Sequence, residues 1–298
     1  MTMPRFGRGF APIAVLCALG LAGCNSGSGG GATGTMSLAL ADAPVNGAQK
    51  VVVTFTGVEL QPANGAVQEI NYSTPKQLDL LRLTGGVTEL LLNGQTLPAG
   101  NYSWIRLKLD TGASYIVTSA GGQSPLTIPS GAQSGLKLNR GFTVPDGGQA
   151  AFTIDFDLRK SLTEANGQYL LRPTLRLVDN STVGALSGSV STTEISQCAS
   201  AYPNGYTAAV YLFAAGATPT DINTSDTANP GPITTADVTY DGQTGSYRYT
   251  IPFIQQGTYE AAFTCDAGID DPTTAQTLTF SAPAAVTITA GRTTDQNF

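Results

Sequence analysis

The chain has 298 residues, no histidine, 12% charged residues and a formal net charge of −6. Without histidine the commonest general base and metal ligand is missing, so a Ser-His-Asp triad, a Cys-His dyad and the usual zinc sites cannot be assembled. Residues 35–182 balance 11 basic against 11 acidic side chains, and residues 183–298 set Arg248 and Arg292 against ten acids, net −8, a balance that excludes a basic nucleic-acid surface.

Arg5 and Arg8 precede an apolar stretch from Phe10 to Leu21, and the small residues Ala22 and Gly23 follow. This is the layout of a secretory signal peptide over residues 1–23, too short for a membrane span of about 20 residues. Leu21-Ala22-Gly23-Cys24 resembles the lipobox of bacterial lipoproteins. The resemblance implies cleavage before Cys24, diacylglycerol on its sulfur and acylation (palmitate) of the new amine, and two or more acyl chains hold stably to a membrane. Asn25, in place of Asp at the following position, leans toward the outer membrane of the cell envelope. Residues 24–34 then read as the lipidated cysteine and a flexible Gly/Ser linker. Gly29-x-Gly31-x-x-Gly34 copies a dinucleotide fingerprint, but without a strand before it or a helix after it the match reflects low complexity.

Beyond the linker, short alternating apolar runs and recurring turn dipeptides predict an all-β chain. Two β-sandwich domains in tandem are expected, over residues 35–182 and 183–298. In the first, Met36-x-Leu38-x-Leu40 and Val51-x-Val53-x-Phe55 are strands, with Gly57 a bulge. Leu78 to Leu92 fits either one short helix or two strands and a turn. Tyr102, Trp104 and Arg106 alternate with Ile105 and Leu107, which puts the first three on one outward face. An exposed aromatic strip of that kind stacks on sugars; a loop or the second domain covering Trp104 is the other reading. Phe152, Ile154, Phe156 and Leu158 alternate with Thr153, Asp155, Asp157 and Arg159 in a later strand, and Leu171 to Val178 is the last.

Asp155 and Asp157 lie two apart, about 6.6 Å along a strand, inside the roughly 6.5–9.5 Å carboxylate separation of inverting glycosidases. Glycosidase acids, however, come from different segments and face a cleft. Two acids on a solvent face near Arg159, Arg106, Lys108, Arg172 and Arg176 fit a cross-strand charge ladder better. Ser73-x-x-Lys76 and Ser134-x-x-Lys137 copy a penicillin-binding motif, but Pro75 and Gly135 oppose the helix start that nucleophile needs.

The strings GTMSLALADAPVNGAQKVVVTFTGVEL, LPAGNYSWIRLKLD and FTIDFDLRKSL, in that order between Gly34 and Asp179, resemble the bacterial domain of unknown function DUF4382. The resemblance implies an exported, often lipid-anchored β domain and brings no catalytic residues with it. The second domain, with strands around Val190, Ala208 to Leu212, Gly245 to Tyr249, Tyr259 and Val286 to Ile288, resembles the carboxypeptidase-regulatory-like, transthyretin-like sandwich more weakly. That resemblance implies a spacer or binding module. Its long polar loop, residues 216–232, departs from a minimal version. Asp266, Asp270 and Asp271 suit Ca²⁺, which takes oxygen ligands, yet no full ligand pattern surrounds them, and a solvated acidic loop is expected with no metal and no cofactor.

Cys17 is lost with the signal, and Cys24 is lipidated. Cys198, in the loop after the Val190 strand, and Cys265 remain as one pair in an exported chain and are expected to form a disulfide. The expectation is a non-enzymatic envelope protein whose partners are the membrane, through Cys24, and a glycan or another envelope protein.

Overall fold

β-branched and aromatic residues at every second position favour pleated chain with one face buried. The computed structural model follows that pattern; it describes residues 31–298 apart from Asn46, Ser130, Thr227 and Pro230. The signal, Cys24 and most of the linker lie outside the described residues. In chain order the first half contains β1 (Thr33–Ala43), β2 (Ala48–Pro62), β3 (Gln68–Asp79), β4 (Glu89–Pro98), β5 (Gly100–Thr118) and β6 (Gln123–Thr127). After α1 (Gly131–Ser134) come β7 (Leu136–Leu138), β8 (Phe142–Val144) and β9 (Gln149–Asp157). After α2 (Leu158–Ser161) come β10 (Leu162–Ala165), β11 (Gln168–Leu171) and β12 (Leu175–Asp179).

These strands form two sheets. One has the order β12-β9-β1-β4, with β1 and β9 parallel. The other has the order β10-β11-β6-β5-β2-β3, with β7 and β8 also on β5. Met36, Leu40, Ile154 and Phe156 from the first meet Phe55, Leu60, Ile105 and Leu107 from the second in one core, all at 0% exposure. The bulge expected at Gly57 is present: the register slips between Phe55 and Gly57. A Cβ there would stand 2.4 Å from the Ile70 carbonyl oxygen, so the strands close only over glycine. The segment from Leu78 divides into the end of β3, a 3₁₀ turn at Leu80–Leu83 and, from Glu89, β4. β1 begins at Thr33 and pairs Gly34 with Leu97, so the last two residues read as linker are strand.

The second half contains β13 (Val183–Val190), α3 (Thr192–Ala201), β14 (Ala209–Ala214), β15 (Thr234–Asp237), β16 (Thr239–Asp241), β17 (Ser246–Gln255), β18 (Gly257–Thr264), β19 (Ala284–Ile288) and β20 (Thr293–Asp295). They make two four-stranded sheets, β16-β17-β13-β20 and β15-β14-β18-β19. Leu186, Val210, Leu212, Ile251, Phe263 and Ile288 fill the space between them. β14 has a second buried face. Tyr211 and Phe213 pack on its far side with Ile222, at 0% exposure, from the long loop after β14. That loop is polar in composition, yet it covers the sheet.

Helix α3 was not foreseen. Ser191 caps it, its hydroxyl accepting from the Glu194 amide at 3.2 Å, and Ile195 and Cys198 bury its inner side. Cys198 therefore sits on a helix, not in a loop. It is bonded to Cys265, just after β18, with the two Cα atoms 5.4 Å apart. No helix among the described residues is long and apolar enough to cross a membrane.

Candidate functional site

The acidic pair of β9 was expected on a solvent face; instead Asp155 and Asp157 are 4% and 2% exposed. Alternation does put them opposite Ile154 and Phe156, but the second half covers their face, and a period of two cannot reveal what lies over a polar face. Asp155 keeps the expected ladder partner: Arg176 stands directly across on β12 and donates to its carboxylate from Nε at 3.1 Å and from Nη2. Burial raises the Asp155 pKa, opposed by the Arg176 charge. Asp157 ends the strand. Its carboxylate accepts from the Lys160 amide at 3.2 Å, capping α2, and Lys160 Nζ lies 3.3 Å from its other oxygen.

Because the chain turns helical at Leu158, Arg159 leaves the strand face to which alternation assigned it. It is 2% exposed, and its three side-chain hydrogen bonds reach the second half. Nε donates to Thr235 Oγ1 at 3.2 Å, Nη1 to the Ala267 carbonyl at 2.7 Å and Nη2 to Asp237 Oδ1 at 2.5 Å. Lys160 Nζ donates to the carbonyls of Pro232 at 2.5 Å and Ile233 at 2.8 Å. Two consecutive cations thus fasten the halves. Asp42, on β1, completes the cluster. Its Oδ1 accepts from the Leu158 amide at 3.2 Å, and its Oδ2 is buried with no hydrogen-bond partner. Burial, and then the charges of Asp155 and Asp157, raise its pKa well above the ordinary carboxylate value. A cavity of about 260 Å³ opens beside it, lined by Asp42, Asp155, Thr234, Asp237, Arg248 and Tyr249 among others. The carboxylates that acid–base chemistry would need are here ion-paired, capping a helix or buried. Sequence reasoning missed Asp42, Lys160 and Asp237, since no local pattern announces a junction between distant segments.

The aromatic face also changes. Tyr102 is 2% exposed, stacks on Phe142 with ring centres 4.9 Å apart, and donates to the Pro98 carbonyl at 2.8 Å. It belongs to the core. The reason is a slip in register: Gln61 pairs with Trp104 and Pro62 with Tyr102, leaving Ser103 as an extra residue that reverses the alternation. Trp104 and Arg106 remain on the outer face, half-buried. The Arg106 guanidinium lies 4.8 Å from the centre of the Trp104 ring and Lys137 Nζ lies 4.7 Å from it. Arg106 also pairs with Glu59 at 2.7 Å. The indole is a platform for cations.

Ser73 and Lys76 both lie inside β3, and Ser134 ends a four-residue helix with Lys137 beyond it in β7. Neither pair sits at a helix start as the penicillin-binding arrangement requires. Asp266, Asp270 and Asp271 are separate anchors. Asp266, 4% exposed, accepts from the Tyr202 hydroxyl and from the Thr279 amide at 2.6 Å. Asp270, 8% exposed, accepts from Tyr211 at 2.6 Å and the Ile222 amide at 3.0 Å, and so holds the long loop down. Asp271 accepts from the Thr273 amide at 2.8 Å. The expected solvated acidic loop is therefore mostly interior, because its carboxylates satisfy buried donors. No metal-binding group of His, Cys, Asp or Glu side chains is found among the described residues.

Residues 33–173 match the model of the domain of unknown function DUF4382. No curated protein matches the chain. Similar solved structures include the TIE protein of Bacillus anthracis, at 10% identity and TM-score 0.20, over 90% of this chain and 34% of that one. A minor pilin of Streptococcus agalactiae is similar at 10% identity and TM-score 0.20, over 88% and 94%. A fimbrial protein of Bacteroides ovatus is similar at 10% identity and TM-score 0.20, over 88% and 48%. The chain spans about a third of the length of the first of these.

Proposed function

We propose that this chain, which carries a DUF4382 domain over residues 33–173, is a lipid-anchored envelope protein that works by binding or by structure and not by turnover. The observation that carries the reading is the junction. Asp155, Arg159 and Lys160 are held in joining strands or halves, and Asp157 caps α2 and pairs with Lys160. A division near residues 182 and 183 into two domains belongs to the same reading, as does attachment through Cys24 with residues 25–32 as a leash. The Leu-Ala-Gly-Cys sequence and Asn25 support the anchor and the outer membrane.

Two experiments test this. A fatty-acid probe fed to cells should label the wild type and not Cys24→Ser; equal labelling of both would remove the anchor from the reading. Assay of the purified chain on a polysaccharide panel should give no turnover. Turnover abolished in Asp157→Asn would make the protein a hydrolase instead.

A further inference from the structure

A groove of about 420 Å³ lies between β12 and the segment from β7 to β8, with Gln255 at the end of β17 also lining it. Its volume lies within the roughly 300–1,000 Å³ usual for small-ligand sites. Lys137, Arg140 and Arg176 line it, with the amides of Asn139 and Gln255, and no carboxylate does. Arg176 is already paired with Asp155, but Lys137 and Arg140 are exposed, and neither is in an ion pair among the described residues. Two unpaired cations converge on one groove in a chain of net charge −6. The Trp104 ring lies 4.7 Å from Lys137 Nζ and holds that ammonium by a cation–π contact.

We infer that this groove binds an anionic saccharide, with Lys137 and Arg140 on its phosphate or carboxylate group. Asn139 and Gln255 offer donors and acceptors to ring hydroxyls, and Leu175 and Leu177 give an apolar surface for the C–H face of a sugar. That combination of charge, amide and apolar surface distinguishes a saccharide from bare phosphate. The inference deepens the binding reading above and rests on it. Lipid labelling and turnover are read by other assays and are untouched if it fails.

Trp104, the only tryptophan, lies against Lys137, which lines the groove, so its emission senses that side chain. The full chain is titrated with trigalacturonate and with glucose 1-phosphate, beside neutral maltotriose and phosphatidylglycerol vesicles. Calorimetry runs in parallel. A saturable response to a charged sugar is expected, with none to maltotriose. The affinity should fall with added salt, and by about tenfold or more in Arg140→Ala and in Lys137→Ala, as loss of a charge-assisted hydrogen bond requires. Both side chains are exposed, so the variants fold. The inference is overturned by silence from both charged sugars in both measurements, by an equal response to maltotriose, by binding to the vesicles alone, or by unchanged affinity in the two variants.

Discussion

Replacing Arg159 by alanine removes a guanidinium that is 2% exposed and three hydrogen bonds that all cross from one half to the other. It also strands the Asp237 carboxylate, whose side chain is 25% exposed. Breaking a buried pair from one side costs about 3–5 kcal/mol, because the surviving charge has lost its partner. Partial access of Asp237 to water places the loss near the lower end, about 3 kcal/mol, which is a fall of roughly 6–12 °C in Tm for a protein of this size. The measurement is urea and thermal unfolding followed by circular dichroism, on the wild type, Arg159→Ala, Asp237→Leu and the double variant Arg159→Met with Asp237→Leu. The double variant should recover much of the loss, since no charge is then left unpaired. A loss under about 1 kcal/mol in Arg159→Ala, or a double variant as poor as the sum of its parts, would refute the role given to this residue.

Three further outcomes are expected. Burial and two neighbouring carboxylates raise the Asp42 pKa above 3.8. A raised carboxyl contributes stability that is full below the unfolded pKa and lost as pH climbs through the folded one. Asp42→Asn should therefore raise Tm at pH 7 relative to wild type and leave it nearly unchanged at pH 3.5; the reverse dependence in a pH series of melts would contradict the assignment. Cys198→Ser opens a crosslink between residues 67 apart, worth about 4 kcal/mol on the chain-entropy view. Dithiothreitol should lower the Tm of wild type toward that of the variant and have no effect on the variant. Gly188→Ala puts a methyl group 1.7 Å from the Gln296 carbonyl oxygen. Forcing the strands apart should cost about 1–3 kcal/mol, visible as a lower urea midpoint.

The all-β class was legible because Met36, Leu38 and Leu40, or Val51, Val53 and Phe55, declare their strands locally. The Cys198–Cys265 pair was legible by elimination, once the leader was read as a secretory signal. What failed had a common cause. Tyr102 was misplaced by one extra residue, Ser103, which no composition signals. Arg159 was misplaced because the strand stops at Asp157, where a carboxylate turns back to cap α2. That cap follows a rule readable in principle, as does Ser191 with Glu194 before α3, and both were hidden by neighbouring strand-like alternation. The burial of Asp155 could not be read at all, since its cover comes from strands more than 70 residues further along.

The parallel pairing of β1 with β9 bears on when this protein folds. The Thr35 hydroxyl bonds to the Gly148 carbonyl, 113 residues on, and β1 stands between β9 and β4 in its sheet. A strand whose neighbours are so distant in the chain pays its loop-closure entropy late, and such topologies fold slowly. A ribosome adding about 5–20 residues per second needs several seconds to reach β9 once β1 has emerged. Until then β1 lacks its parallel partner, and the first sheet cannot be completed.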